Sequence, residues 1–363
     1  MHTPDLDLMC RQATDLLCRL IETPSVSRQE ADAAGLIRQA LTRSGLDIHT
    51  SDCNTWAVAP QFSPDRPTLL LNAHIDTVRP NPGWTRDPFK PTLEGDRLYG
   101  LGSNDCGGGL VSLLEVFKYY ALTAPEACAY NLVYLASAEE EVSGRQGLES
   151  VLPLLPKIDV ALVGEPTGMQ PAVAEKGLVV IDATAHGKAG HAARNEGDNA
   201  LYHAIDDINP FPNTTRLRHY RFERTSPLLG AVKLTVTIIQ AGTQHNVVPA
   251  ECTYTIDVRT NECYTNEEVV RLLQQEVRSE LKPRSTRLQS SGIPLTHPLV
   301  ARAVALGRTP YGSPTLSDQA LMPFASLKMG PGESARSHTA EEYITTGEIR
   351  QGISLYLDLL RRT

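Results

Sequence analysis

The stretch PTLLLNAHIDTV, residues 67–78, decides how the chain is to be read. Residues 68–71 form a short apolar run of the kind that makes a buried strand. The run leads to His74, Ile75 and Asp76, an imidazole and a carboxylate two residues apart. Alternate side chains of a strand share a face, so a chain extended to Asp76 would point both groups the same way. One reading is a turn with a polar histidine and a capping aspartate. The other is a strand end that presents chemistry, and the rest of the chain decides between them.

Around this strand the N-terminal part alternates helix and strand. Helical patterns cover residues 7–20, 30–44 and 107–122, and strand signals cover 47–50, 56–59, 131–136 and 160–163. Such alternation predicts an α/β layered domain with a mainly parallel sheet. Near Gly177 the pattern changes to alternating strands over 178–185, 234–240 and 252–258, with helices over 198–208 and 266–281. These predict an inserted α+β module, residues 177–288, with one covered sheet face. Residues 282–294, rich in Ser, Pro and Arg, read as a linker back. The parent domain then comprises 1–176 and 289–363, closing with an amphipathic helix over 346–361.

The chain has 363 residues and 41% hydrophobic content, enough for two domains. A net charge of −8 argues against a nucleic-acid surface. No apolar run is long enough to span a bilayer, and the start shows no basic segment followed by an apolar one. Seven scattered cysteines form no C-x-x-C, which argues against a disulfide framework or a zinc ribbon. The expected location is the cytoplasm.

Acidic and histidine sites recur in one context, at the end of an apolar strand or just after it. His74 and Asp76 follow LLLNA, and Asp105 lies in YGLGSNDCGGG ahead of a helix. Glu139, Glu140 and Glu141 follow VYLASA, Glu165 follows VALVG, and His338 sits in GPGESARSHTAEE. Each has an ordinary reading as a cap or a surface residue. Together they fall where the loops of an open α/β sheet form one crevice. Imidazoles mixed with carboxylates suit zinc or a similar ion, and a bridging carboxylate suits a metal pair. Neither GLGSND nor GPGESA completes a dinucleotide fingerprint, and H-E-x-x-H is absent.

In order along the chain, AHIDTV, GSNDCGGG, SAEEE, GEPTG and a late Ser-His-Thr resemble the M20 family of metallopeptidases and amidohydrolases. The acetylornithine deacetylase and succinyl-diaminopimelate desuccinylase branch is the most similar. The resemblance implies a zinc-hydrolase catalytic domain with an inserted lid and dimerisation domain. It implies two divalent ions, zinc or alternatively cobalt, held by His74, Asp105, Glu140, Glu165 and His338, with Asp105 bridging. Asp76 would orient His74 through its far ring nitrogen, and Glu139 would be the general base. Glu141 would be left without a metal contact, Cys106 would be filler, and the Asp105–Cys106 peptide would be cis. His191, in GKAGHAAR, would reach the active site of a homodimer partner and stabilise the oxyanion. Lys176, Asn246 and Arg259 would hold the substrate carboxylate.

The activity so implied is removal of an N-acyl group from a small amino acid. N-acetylornithine, cleaved to ornithine and acetate in arginine biosynthesis, is the leading substrate. Alternatives are N-acetylcitrulline, N-succinylornithine, succinyl-diaminopimelate, or a dipeptidase or carboxypeptidase activity. A binding module on the same fold would be expected to lose the base or a ligand. In the loop before His338, Glu333 is a candidate partner for an ornithine ammonium and Arg336 for a succinyl carboxylate.

Overall fold

Thr68–His74 is a strand buried along its whole length, with Leu69, Leu71 and Ala73 in one apolar core and Leu70 in another. A strand covered on both faces reads as a continuous apolar run because neither set of alternate side chains meets water. The computed structural model describes residues 3–209, 211 and 222–362. They divide into two compact units. The first takes the chain up to Val173, then Ile293–Tyr311 and Ser317 onward; the second takes Ala174–Gly292 and Gly312–Leu316.

In the first unit the sheet runs in the order His49–Ser51, Asn54–Val58, Asn131–Ser137, Thr68–His74, Val160–Pro166 and Ala325–Gly330, with Ala172, the first residue of the strand Ala172–Glu175, paired to Lys328 at its end. The four strands from Asn131–Ser137 to Ala325–Gly330 are parallel, and antiparallel neighbours flank them on both sides. This is the mixed α/β fold with a mostly parallel sheet that the sequence predicts. Helices Leu6–Ile21, Gly108–Lys118 and Thr346–Leu360 build the core on the Leu69 face. Parallel pairing brings the C-terminal ends of all four strands to one edge. His74, the Glu139 segment, Glu165 and the loop to His338 therefore start from neighbouring points.

The edge is crowded where helix meets strand. A Cβ on Gly109 would lie 1.7 Å from the Gly164 carbonyl oxygen, next to Glu165. Only glycine lets the first turn of Gly108–Lys118 approach the backbone so closely.

The second unit is a four-stranded antiparallel sheet, ordered Lys233–Ala241, Glu251–Thr260, Gly177–His186 and Glu280–Pro283. Burial alternates along its two central strands, so one face is covered. Residues of the helices Ala200–Ile208 and Asn266–Glu276 lie in its core. The helix predicted over 266–281 stops at Glu276, because Val277 is extended and Asp207 takes the N–H groups of Arg278 and Ser279. Part of the expected linker is strand: Glu280–Pro283 pairs with Gly177–His186.

Gly109→Ala is expected to lower stability by about 1–3 kcal/mol through overpacking. Gly35→Ala, on a helix with nothing within 4 Å of the added methyl, should raise it by about 0.5–1 kcal/mol. Urea unfolding of the two variants checks both signs.

Candidate metal centre

His74 closes its strand with the ring buried. Nε2 lies 3.2 Å from Asp105 Oδ1 and 3.4 Å from Glu165 Oε1. Nδ1 lies 2.8 Å from the Asp76 carbonyl, to which it donates. A neutral ring so bonded turns a lone pair on Nε2 toward the acids, as a metal ligand must. Asp76 thus orients His74 through its backbone carbonyl, its carboxylate being 3.6 Å from Nδ1. That carboxylate instead accepts the N–H of Glu140 at 3.0 Å, the N–H of Glu141 at 3.2 Å and the Ser27 hydroxyl at 2.7 Å.

Asp105 sits in the turn Ser103–Gly107, and its peptide bond to Cys106 is cis. Its second oxygen lies 3.5 Å from His338 Nε2. The Cys106 thiol accepts the His74 N–H at 3.2 Å and donates to the His74 carbonyl at 3.5 Å. Burial pushes this thiol far up, and it lies among the His74 and Glu165 donors.

The run of three glutamates is placed one residue away from its expected register. Glu139 adopts a left-handed backbone, φ 56°, and packs against Gly144. It lines a hollow of about 460 Å³ with Arg28, Glu30, Asp52 and Arg145. Glu141, expected to be idle, meets His338 Nε2 at 3.0 and 3.2 Å. Glu140, expected to be a metal ligand, has its carboxyl under the influence of His74, Glu165, Asp318 and Glu141. The physical reason is the left-handed turn at Glu139 together with the Asp76 carboxylate, which caps the next two N–H groups. Three adjacent acids carry no periodic clue to such a turn. The nearest signal was Gly144, where a Cβ would fall 1.7 Å from Glu139 Oε2.

Electrostatics mark the cluster as built for cations. Burial, then the charge of Asp105, raises Glu165. Burial raises Glu140 well above the carboxylate range, with Glu165, Asp318 and Glu141 adding to it. Burial opposes charge on His74, yet Cys106, Asp105 and Glu165 together lift its pKa well above the ordinary value. His338 is lifted to about 9, first by its bond to Glu141. Acids this close repel unless protons or cations neutralise them. Two imidazole nitrogens and several carboxylates are a donor set that fits zinc-like ions. Among the described residues, His74, Asp105 and Glu141 offer atoms within 4.8 Å of one another, as do His74, Cys106 and Glu165.

The loop of His338 is braced from outside the cluster. Asn81 donates to the His338 carbonyl at 3.2 Å. Glu341 accepts the N–H groups of Thr85 and Arg86 and pairs with the Arg86 guanidinium. Those bonds hold the Glu341 carboxyl down at about 2. Arg336 donates to Glu348 at 2.9 Å and lies over the Tyr343 ring, so it is engaged internally and not presented to a succinyl group. Glu333 is exposed, and the carboxylate lies over the Gly168 turn.

The remaining expected residues belong to the second unit. His191 is exposed and its Nδ1 accepts the Ala193 N–H at 3.1 Å. The short strands Gly190–His191 and Val247–Val248 pair, and Ala192 donates to the carbonyl of exposed Asn246. Arg259 makes a two-bond fork with Asp257 at 2.8 and 3.1 Å. Lys176 has its pKa lowered by burial and by the charges of Lys233 and Arg259. Among the described residues, no helix is long and apolar enough to cross a membrane.

A model of peptidase family M20/M25/M40 matches residues 70–362. Several solved structures are similar over nearly the whole chain. Aminopeptidase PepT from Bacillus cereus ATCC 10987 is 16% identical with a TM-score of 0.76, covering 97% of this chain and 98% of its own. The YXEP protein of Bacillus subtilis, a dinuclear metal-binding peptidase of the M20 family, is 16% identical with a TM-score of 0.71, covering 98% of each. Dipeptidase Dug1p from Saccharomyces cerevisiae is 14% identical with a TM-score of 0.65, covering 98% and 96%. At these identities the likeness establishes the fold.

Two outcomes are expected. Glu141→Gln should cost chelator-stripped protein a bound ion in a zinc titration, while Glu139→Gln should leave the count unchanged. Glu341→Gln should lower the melting temperature at pH 6. A carboxylate with a depressed pKa stabilises above its ordinary value of 4.5 and loses that contribution as pH falls toward 2. The gap between variant and parent should therefore close over that window.

Proposed function

Because the chain belongs to peptidase family M20/M25/M40, we propose that it is a two-metal amidohydrolase that removes the acyl group from a small N-acylated amino acid. The observation that carries the reading is the shared Asp105, with one oxygen toward His74 and the other toward His338. A carboxylate so placed suits a bridge between paired ions. One ion would be held by His74, Asp105 and Glu165, the other by Asp105, Glu141 and His338. When bound, the ions would supply the Lewis acidity that polarises the scissile carbonyl and lowers the pKa of water.

The chain's own groups do the rest. Glu140, among the ligands but assigned to neither ion, is the general base in place of Glu139. It takes a proton from the attacking water and returns it to the leaving amine nitrogen. The raised pKa of Glu140 suits a group that must hold a proton between the two steps. Asp76 keeps His74 and the Glu140–Glu141 turn in one frame. For the second unit the proposal retains Lys176, Asn246 and Arg259 as contacts for the substrate carboxylate. His191 would be supplied to a partner copy in a homodimer. Support for the dimer comes from the edge strand Lys233–Ala241, which leaves Ile238 and Ile239 half exposed. The substrate put first is N-acetylornithine, which places the enzyme in arginine biosynthesis in the cytoplasm.

Zinc- and cobalt-loaded protein should be assayed on N-acetylornithine, N-acetylcitrulline, N-succinylornithine and dipeptides. The expected result is a preference for N-acetylornithine. Glu140→Gln should lower kcat about 10²–10⁴-fold with little change in KM, and Glu139→Gln should keep most of the activity. Turnover of dipeptides alone would move the enzyme to the peptidase side of the family.

A further inference from the structure

Four residues beyond His338, Glu342 is 2% exposed and takes no part in the steps above. One oxygen of its carboxylate accepts the N–H groups of Asn104 and Asp105, both at 2.9 Å, and the other accepts the Gly102 N–H at 3.2 Å. Asn104 extends the connection. Its amide donates to the Glu333 carbonyl at 3.1 Å and accepts the Glu333 N–H at 3.0 Å. The two bonds imitate the paired bonds of antiparallel strands. Gly332 makes room for them, since a Cβ there would lie 2.3 Å from Asn104 Oδ1. The segment that carries Asp105 is thus tied at two points to the segment that carries His338.

A carboxylate is costly to bury, and this one is spent on three backbone donors beside Asp105. We propose that Glu342 is a positioning residue, with Asn104 as its relay, that holds Asp105 between the two imidazoles and sets the affinity for the ion at Glu141 and His338. The inference rests on the two-metal reading. The two ions differ in what anchors their ligands. His74 and Glu165 both belong to buried parallel strands, held by a backbone ladder. His338 is an exposed loop residue in a left-handed conformation. Its register with Asp105 depends on the ties between loops.

The test is a zinc titration of chelator-stripped wild type, Glu342→Gln and Asn104→Ala, read by competition with a chromophoric chelator. Near-UV circular dichroism of each metal-free protein monitors the fold. Wild type should take up two ions. Both variants should bind the first ion as wild type does and the second about 10–100-fold more weakly, the usual cost of losing a group that orients a ligand. Unchanged affinity in both steps overturns the proposal. Equal weakening of both steps, or loss of the near-UV spectrum in both variants, assigns Glu342 a purely structural role and also overturns it. A wild type that takes up fewer than two ions overturns the two-metal reading itself.

Discussion

Asp105 has one oxygen 3.2 Å from the His74 ring and the other 3.5 Å from the His338 ring. A single carboxylate between two imidazoles constrains everything around it. Glu165 and Glu141 must approach the same two rings despite the mutual repulsion of like charges. That is possible only if cations or protons offset the charge. The parallel sheet satisfies the first demand by bringing four strand ends to one edge, and the polar loops satisfy the second by fixing where each acid points. Asp76 illustrates the economy of the design: its carbonyl sets the His74 ring while its carboxylate caps the glutamate turn.

Much of this was legible in the chain because burial on both faces leaves an unmistakable record. LLLNA, LVYLA and VALVG are apolar runs that end in chemistry, and the parallel sheet follows from them. The order of the acid and histidine sites survived into space, since His74 and Glu165 lie at the ends of parallel strands and the glutamate run and His338 follow two others. What escaped was everything decided by backbone turns. The left-handed Glu139 moves the acid that meets His338 from Glu140 to Glu141, and nothing in AEEE announces it. The strand Glu280–Pro283 was hidden because a four-residue edge strand rich in charge and proline resembles a loop. Glu342 drew no reading of its own from the sequence: its neighbour Glu341 faces Arg86, while Glu342 faces backbone N–H groups. Side chains on either side of one peptide bond point to different partners, and composition does not record which.

The chain also separates groups that sequence alone placed on an equal footing. Arg336 and Glu333 lie three residues apart, yet the first is committed to Glu348 and Tyr343 while the second is exposed. An arginine already paired and stacked has little left to offer a ligand.

The two ends of the centre are also held by interactions of different physical range. His74 rests on a buried ladder of backbone hydrogen bonds, which dissolved ions barely reach. The loop of His338 is fastened in part by Arg86, Glu94 and Glu341, all partly or fully open to solvent. Charges in such positions are screened as the Debye length shrinks, from about 10 Å at 0.1 M salt to about 3 Å at 1 M. Ionic strength therefore acts unequally across a few ångströms. Rising salt screens the ties of the loop side more than those of the strand side, so a saline medium is a selective handle on half of the cluster.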